Sequence, residues 1–303
     1  MKIGLIGLGK MGSNVALNLK DHHIDVVGYD ISKNQYEMLE SYGIETSDTL
    51  ENLLKKLESP RVLWLMLPNG EPTLTTIKEL VGVLDEGDIV IDAGNSKYTD
   101  SISNHDLLAK HNIKFLDCGT SGGVSGARYG ACLMVGGDKE AYEYLESVFS
   151  LISVDEGLIY TGRAGSGHFM KMVHNGIEYG MMQAIGEGFD LMKSSEFSYD
   201  LAAVAKNWNH GSVIRGWLME IVQTQLENSH NLQNIIGEVD ANGEAMWTVE
   251  AALEHNIATP VIALALMVRS MSKDSEKFGC KVVAAMRNGF GGHEVKLKGG
   301  KNE

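Results

Sequence analysis

The feature that most constrains this chain is a change of pattern near residue 162. Before it, short apolar runs alternate with amphipathic segments and breakers, from Ile3–Ile6 to Leu158–Tyr160. Strand and helix in alternation predict a doubly wound, mostly parallel α/β sheet of the Rossmann-like kind. Beyond Gly165 the strand patterns stop and long helical patterns follow. The sequence therefore predicts an α/β domain over residues 1–164 and an all-α domain over residues 165–303.

The individual elements are predicted from apolar periodicity and from the breakers between segments. The predicted strands are Ile3–Ile6, Asp25–Tyr29, Arg61–Leu67, Ile89–Asp92, Lys114–Asp117, Cys132–Val135 and Leu158–Tyr160. The predicted helices include Asn14–Asp21, Leu50–Leu57, Pro72–Leu84, Ser101–His111, Ser166–Met192, Asp200–Lys206, Ser212–Leu226, Thr248–Glu254 and Pro260–Met286. The tail from Gly289 to Glu303 is predicted to be non-helical.

Composition narrows the class of partner. The 303 residues carry a formal net charge of −14, which argues against nucleic acid and anionic membranes as partners. The cysteines lack a metal-ligand spacing, so they are interpreted as reduced thiols and no metal site is predicted. The apolar run Val261–Val268 is too short to span a bilayer, and the N-terminus enters a strand directly. We expect a cytoplasmic protein.

A glycine-rich turn follows the first predicted strand and opens the first helix. Its residues are Gly7, Leu8, Gly9, Lys10, Met11 and Gly12, a G-x-G-x-x-G pattern. In that position the glycines allow a tight turn, a close approach of the backbone to a pyrophosphate, and close packing of helix on strand. The amide groups of the helix N-terminus then face the phosphates. The pattern predicts a dinucleotide site.

The end of the second strand favours one cofactor. Asp30 can accept hydrogen bonds from the ribose hydroxyls of adenosine and would repel a 2′-phosphate. NAD is therefore predicted in preference to NADP, although Ser32 and Lys33 follow and could soften that rejection. Further cofactor contacts are predicted in the loops that leave later strands, at Leu67, Pro68 and Asn95.

The segment 171–179 of the predicted all-α domain carries charged residues within an otherwise apolar helical pattern. As a helix, the segment 171–179 places four polar residues on one face, because each residue turns a helix by about 100°. Burying such a face costs free energy unless a bound polar ligand supplies partners. The four residues are Lys171, His174, Asn175 and Glu178.

A second candidate site follows the strand Lys114–Asp117. The run Gly119–Gly126 is rich in small residues, and Ser121 adds a hydroxyl. Exposed backbone amides in such a run can form an anion cradle. A flexible loop is the alternative interpretation.

Taken together, these motifs resemble the decarboxylating 6-phosphogluconate dehydrogenases, in their short form, over nearly the whole chain. The most specific parts are Ser121–Gly123, the Lys171-x-x-His174-Asn175-x-x-Glu178-Tyr179 segment, Trp247–Thr248 and the run 287–293. Members of that family oxidise and decarboxylate 6-phosphogluconate in the pentose phosphate pathway. The resemblance implies the same reaction here, with NAD, in a homodimer or homotetramer.

The resemblance also implies a role for each site residue. Lys171 would be the general base and Glu178 the general acid. The sugar acid would be held by Asn95, Ser121, Gly122, Gly123, His174 and Asn175, and its phosphate by Tyr179, Arg269, Arg287 and His293.

Two alternatives stay open. Met246 stands where a basic residue usually precedes Trp247 in the family, which leaves room for a β-hydroxyacid or other sugar-acid dehydrogenase with an unphosphorylated substrate. A non-catalytic NAD-binding protein is the other alternative, since fold alone does not imply catalysis.

Overall fold

A computed structural model describes residues 1–228, 232–291, 293–294 and 296, with the backbone alone for 289–291. The chain divides into two compact units. Unit 1 contains Met1–Ile177 and Glu244–Asn256, and unit 2 contains Glu178–Gly243 and Ile257–Glu303. This division runs through a long helix, and the predicted domain boundary at residue 164 stays a prediction.

Unit 1 is organised by an eight-stranded sheet with the order β3-β2-β1-β4-β5-β6-β7-β8. The strands are β1 (Lys2–Ile6), β2 (Asp25–Tyr29), β3 (Glu45–Thr46), β4 (Val62–Leu65), β5 (Ile89–Asp92), β6 (Lys114–Ser121), β7 (Ala131–Gly137) and β8 (Ser153–Gly162). The order reverses at β1, which pairs with both β2 and β4. Ligands of such sheets bind outside the carboxyl ends of the strands, at this switch point.

Thirteen helices lie within the described residues. They are α1 (Lys10–Asp21), α2 (Tyr36–Ser41), α3 (Leu50–Leu54), α4 (Glu71–Val81), α5 (Tyr98–Ala109), α6 (Gly123–Tyr129), α7 (Lys139–Ile152), α8 (Ser166–Lys193), α9 (Leu201–Asn209), α10 (Trp217–Asn228), α11 (Glu244–Glu254), α12 (Pro260–Met271) and α13 (Phe278–Gly291). The fold class predicted from the sequence is confirmed: a mostly parallel α/β sheet is followed by a part built from helices.

One strand pair departs from the parallel arrangement. β6 and β7 are antiparallel, with Ser121 opposite Cys132. A parallel crossover needs a dozen or more residues, and the connection here is the seven-residue helix α6 with its flanking glycines. The chain can therefore only turn back beside the strand it has just left.

The sheet of unit 1 is covered on both faces, so its strands are nearly continuous apolar runs. Alternate residues of β1 illustrate this, since Ile3 and Leu5 belong to one apolar cluster and Ile6 to the other. Asp92 and Asp117 interrupt the pattern, because both are fully buried acidic residues: Asp92 ends β5, and Asp117 lies opposite it within β6.

Unit 2 contains helices only, within the residues described. A small apolar cluster joins the end of α8 to α9 and α10, with Leu201, Ala205, Met219 and Leu226 at its centre. No helix of the described residues is long and apolar enough to cross a membrane.

Two predictions about the end of the chain are wrong. The single helix predicted over Pro260–Met286 is broken between α12 and α13, because Asp274 Oδ1 accepts hydrogen bonds from the Glu276 and Lys277 amides at 3.1 and 2.7 Å. Such a local turn competes with the helix for backbone donors. The predicted non-helical tail begins too early, since α13 continues to Gly291. Residues 292, 295 and 297–303 lie outside the described residues.

Candidate active site

The glycine turn between β1 and α1 has the shape predicted for it. Gly7 has a φ of +96°, and a Cβ there would lie 2.5 Å from the Met66 carbonyl oxygen. A Cβ on Gly12 would lie 1.9 Å from the Gly7 carbonyl oxygen. Any side chain at these two positions would therefore force the turn, the helix and β4 apart.

Gly9 differs from its two neighbours in the motif. A Cβ built on it meets nothing within 4 Å, and Gly9 is the N-cap of α1 without a side-chain cap. The first amides of a helix have no intrahelical acceptor. Open space directly above this helix end leaves those amides available to an anion such as a pyrophosphate.

Asp30 connects the glycine turn to the turn after β2. Its Oδ2 accepts a hydrogen bond from the Leu8 amide at 2.6 Å, and its Oδ1 accepts one from the Ser32 amide at 2.7 Å. Each carboxylate oxygen has a second lone pair, so both oxygens can still accept a hydrogen bond from a ribose hydroxyl. The residues present thus fit the adenosine half of a nicotinamide dinucleotide.

Two further loops adjoin the glycine turn. The Leu67 side chain lies 3.1 Å from a Cβ built on Gly7, and the Leu67 carbonyl oxygen lies 2.4 Å from one built on Gly94. Thr73 donates a hydrogen bond to the Pro68 carbonyl at 2.8 Å, which fixes the loop after β4. The structure therefore groups the loops that carry Pro68 and Asn95 beside the glycine turn, and both of these residues are exposed.

The start of α8 is fixed by a buried carboxylate that the sequence interpretation missed. Asp117, at the end of the predicted strand, accepts hydrogen bonds from the Gly165 and His168 amides at 2.7 and 2.8 Å. A negative charge at a helix N-terminus is favourable. His168 is itself buried, and its Nδ1 lies 2.7 Å from the Ser101 hydroxyl.

One sequence signal could have indicated Asp117. An acidic residue ends an apolar strand pattern, and such a residue is rarely fully buried without partners. Nothing in the local sequence indicates the pairing of Ser101 with His168.

α8 packs directly on β6. A Cβ on Gly119 would lie 2.5 Å from the Lys171 Cβ and 3.0 Å from the Gly167 carbonyl oxygen. The absence of a side chain at residue 119 thus lets the helix approach the strand closely. Lys171 is only 8% exposed as a result.

The serine–glycine segment and α8 meet next to Lys171. The Ser121 hydroxyl lies 3.1 Å from His174 Nε2, and His174 Nδ1 lies 2.9 Å from Asn175 Oδ1. Ser121 ends β6, Gly122 has a φ of +112°, and α6 begins at Gly123. The segment is therefore a strand end and a helix start, and the flexible loop considered from the sequence is wrong.

The predicted residues of unit 2 form their own group. Glu178 and Tyr179 continue α8, and the Arg269 guanidinium lies over the Tyr179 ring, 3.5 Å from its centroid. Cation and ring attract each other in this geometry. The segment 239–242 packs beside them: Arg269 donates to the Asp240 carbonyl at 3.3 Å, and the Tyr179 hydroxyl accepts from the Asn242 amide at 3.4 Å.

The last two predicted residues lie at the end of the described chain. Arg287 is exposed on α13, and His293 is exposed beyond it. The Asn288 side chain donates a hydrogen bond to the His293 carbonyl at 2.9 Å.

Comparison with known proteins gives the same picture for both parts of the chain. Residues 2–162 match the family model described as the NAD binding domain of 6-phosphogluconate dehydrogenase. Residues 167–286 match the model described as the C-terminal domain of 6-phosphogluconate dehydrogenase.

Individual relatives agree over their full length. The chain is 48% identical to the Bacillus subtilis protein YqeC, covering 98% of this chain and 100% of that protein, which carries the name 6-phosphogluconate dehydrogenase only provisionally. It is 38% identical to the NAD(+)-dependent, decarboxylating 6-phosphogluconate dehydrogenase of Haloferax volcanii, over 98% of this chain and 99% of that protein.

Solved structures add the fold. The Plasmodium falciparum 6-phosphogluconate dehydrogenase, described with NADP+ and with 6-phosphogluconate, aligns with a TM-score of 0.84 at 30% identity, over 100% of this chain and 67% of that one. A Mycobacterium tuberculosis 3-hydroxyisobutyrate dehydrogenase aligns with a TM-score of 0.73 at 21% identity, over 89% and 92%, and shares the fold. Matched domains, relatives and geometry agree that this chain belongs to the decarboxylating 6-phosphogluconate dehydrogenase family of oxidoreductases.

Proposed function

We propose that this protein oxidises and decarboxylates 6-phosphogluconate to ribulose 5-phosphate and CO2, with NAD as the electron acceptor. The observation that carries the proposal is the contact between Ser121 and His174, beside a Lys171 that is 8% exposed. It joins the two most specific motifs of the sequence within unit 1. Family membership and the Haloferax relative support the same reaction.

The polar groups around Lys171 suit a sugar acid. The hydroxyl of Ser121, the His174 imidazole and the Asn175 amide together offer donors and acceptors, and the start of α6 at Gly122–Gly123 adds backbone amides. Asn95 offers a further amide from the loop after β5. We assign these groups to the carboxylate and hydroxyls of the substrate.

Lys171 is assigned the role of general base. As a neutral amine, Lys171 would accept the proton of the C3 hydroxyl, and NAD, held by the glycine turn and Asp30, would supply the hydride acceptor for the oxidation at C3. Positioned acid–base groups of this kind contribute about 10²- to 10⁴-fold to a rate. The protonated Lys171 then donates a hydrogen bond to the C3 ketone oxygen, where charge collects as CO2 departs.

Glu178 is assigned the role of general acid. It protonates C1 of the resulting enediol, which gives ribulose 5-phosphate. Glu178 lies two turns beyond Lys171 on α8, so the helix carries both groups.

The phosphate is assigned to the group of unit 2. Arg269 can form two parallel hydrogen bonds with a phosphate, and Tyr179 supplies a hydroxyl next to it. Arg287 and His293 are included by resemblance, as residues that a neighbouring subunit would contribute.

NAD is preferred to NADP because of Asp30. An acidic residue at this strand end can accept hydrogen bonds from the ribose hydroxyls of adenosine and would repel a 2′-phosphate. The Haloferax relative is named NAD(+)-dependent, whereas the Plasmodium structure is described with NADP+. The cofactor therefore differs among similar proteins, and the residues of each chain decide it.

One assay tests the reaction. The purified protein is incubated with 6-phosphogluconate and NAD, and NADH absorbance and CO2 release are recorded together. Equal amounts of NADH and CO2 are expected. NAD binding without turnover of any sugar acid would favour the non-catalytic alternative and contradict the proposal.

Met246 favours a second candidate. It is 48% exposed on α11, directly before Trp247 and Thr248, at the position where the resemblance leads one to expect a basic residue. A weaker phosphate site would favour an unphosphorylated β-hydroxyacid or sugar acid. The discriminating measurement is kcat/KM for gluconate against 6-phosphogluconate, and turnover of gluconate without CO2 would support this second function.

We also propose that the chain forms a homodimer or homotetramer. Apolar residues on one side of α12 are more than half exposed in the single chain, at Val261, Leu264, Met267 and Met271. Contiguous apolar surface of this kind is typical of an interface. A second copy is the occupant we propose.

Light scattering coupled to size-exclusion chromatography tests the assembly. The unaltered protein should have at least twice the mass of one chain, and Met267→Glu should lower it. Val83→Glu, also at an exposed apolar residue but in unit 1, is the matched control. A monomeric unaltered protein would refute the assembly.

A further inference from the structure

The turn that follows β2 contains both charges that could decide between NAD and NADP. Its residues 30–35 include one cation, Lys33, three positions beyond Asp30. An acidic residue at this strand end accepts hydrogen bonds from the ribose hydroxyls of NAD, whereas a nearby cation accommodates the 2′-phosphate of NADP. Lys33 is thus the residue of this turn that could admit NADP.

β3 brings a second carboxylate to the same place. Gly28 of β2 pairs with Thr46 of β3, and the Ser47 amide donates to the Gly28 carbonyl at 2.9 Å. Asp30 and Asp48 each lie two residues beyond that pair. They therefore follow adjacent parallel strands and lie side by side at the same edge of the sheet. The Tyr36 hydroxyl reinforces the arrangement, because it donates to the Ser47 carbonyl at 2.7 Å and accepts from the Asp30 amide at 3.1 Å.

Lys33 is already engaged by this second carboxylate. Its Nζ forms an ion pair with Asp48 Oδ1. The hydrogen bond to Asp48 raises the pKa of Lys33 above its ordinary value, and the same contact lowers the pKa of Asp48. Both groups are exposed, so the pair is accessible to an incoming cofactor.

We propose that Asp48 is a positioning residue for cofactor choice. Because Asp48 holds Lys33 in an ion pair, Lys33 is not available to bind the 2′-phosphate of NADP. The carboxylates of Asp30 and Asp48 at that end of the sheet then disfavour the phosphate. This inference rests on the proposed NAD-dependent function and deepens it. Asp30 alone would repel the phosphate, but a free Lys33 would offset much of that repulsion. The pairing of Lys33 with Asp48 removes the offset without touching NAD itself.

The test is a set of binding titrations with NADH and NADPH, followed by cofactor fluorescence. The variants are Asp48→Asn, Lys33→Met and the double variant, with Asp48→Glu as the conservative replacement. Asp25→Asn is the matched control, because Asp25 is an exposed partner of Lys20 at the opposite end of β2.

Asp48→Asn should bind NADPH about three- to tenfold more tightly, in line with the strength of single exposed charge pairs and the extra charge of a phosphate. NADH affinity should stay within about twofold. Adding Lys33→Met should remove the gain, Asp48→Glu should retain the original preference, and Asp25→Asn should have no effect. The gain should also shrink at high salt.

The outcomes separate this inference from the proposed function. The role of Asp48 would be overturned if NADPH affinity were unchanged in Asp48→Asn, or if the double variant with Lys33→Met gained as much NADPH affinity as Asp48→Asn. In either case, NADH binding by the unaltered protein would still support an NAD-dependent enzyme. No binding of either cofactor to the unaltered protein would overturn both.

Discussion

Replacing Gly119 with alanine would test whether the packing of α8 on β6 positions Lys171. The new methyl carbon would lie 2.5 Å from the Lys171 Cβ, 3.2 Å from its Cγ and 3.0 Å from the Gly167 carbonyl oxygen. Carbon atoms in contact are separated by about 3.5–4.0 Å. Strand and helix must therefore move apart by roughly 1 Å at the residue proposed as the base.

The magnitudes follow from that displacement. Overpacking of a dense interior costs about 1–3 kcal/mol, and each kcal/mol lowers the Tm of a domain of this size by roughly 2–4 °C. The variant should thus stay folded, with a Tm lower by about 2–12 °C. A misplacement of about 1 Å can reduce a rate about 10²-fold, so we expect kcat to fall by about that factor.

The assay combines three measurements on one preparation: kcat with 6-phosphogluconate and NAD, NADH affinity by fluorescence, and Tm by circular dichroism. NADH affinity should change by less than about twofold, because the glycine turn lies at the end of β1. Gly82→Ala is the matched control, since a Cβ there would lie 3.5 Å from its nearest neighbour and φ is −79°. That control should leave all three quantities nearly unchanged.

Two results would refute the reasoning. An unchanged kcat in a variant with a lowered Tm would mean that the contact of β6 with α8 does not position the base. A parallel loss of NADH affinity would mean that the distortion spreads through unit 1 instead of staying at α8.

Further predictions concern single groups. Lys171→Met should abolish turnover while NADH affinity stays within about twofold, and retained turnover would contradict its role as base. Asp30→Ala should lower NADH affinity and raise the preference for NADPH, because the bonds from Leu8 and Ser32 are lost with the charge; an unchanged preference would contradict its role. Arg269→Met should raise KM for 6-phosphogluconate about tenfold or more, as expected for loss of one charge-assisted contact of about 1.5–3 kcal/mol, and an unchanged KM would place the phosphate elsewhere. Burial raises the pKa of the Cys118 thiol to about 12, whereas a thiol of the unfolded chain ionises near about pH 8.5. Between those values the unfolded state binds fewer protons, so stability should fall as pH rises. The urea concentration at the unfolding midpoint should therefore fall less steeply with rising pH in Cys118→Ala than in the unaltered protein. Equal slopes for the two proteins would contradict the prediction.

Much of unit 1 could be predicted because its signals are local. Apolar runs bounded by breakers gave Asp25–Tyr29 and Ile89–Asp92 with the observed bounds. The turn at Gly7–Gly12 was predicted from the glycine spacing together with its position between the first strand and the first helix, and both are local features of the sequence. The helix α8 was likewise predicted, as Ser166–Met192, because helical periodicity is a property of neighbouring residues.

The errors occur where short-range polar contacts compete with periodicity. The break after α12 depends on the Asp274 side chain, which captures two amides that a helix would need. The start of α6 depends on the positive φ of Gly122. The pattern of apolar residues in the sequence reports neither the Asp274 hydrogen bonds nor the positive φ of Gly122.

The sequence by itself determined the fold class, the family and the residue types at the candidate site, because periodicity and short motifs are properties of neighbouring residues. Only the tertiary structure decided which distant groups meet: Asp117 with the start of α8, Ser121 with His174 at a separation of 53 positions, and Lys33 with Asp48. These contacts depend on strand order and on how closely helices approach the sheet. Both are consequences of packing the whole chain, so no local pattern can specify them.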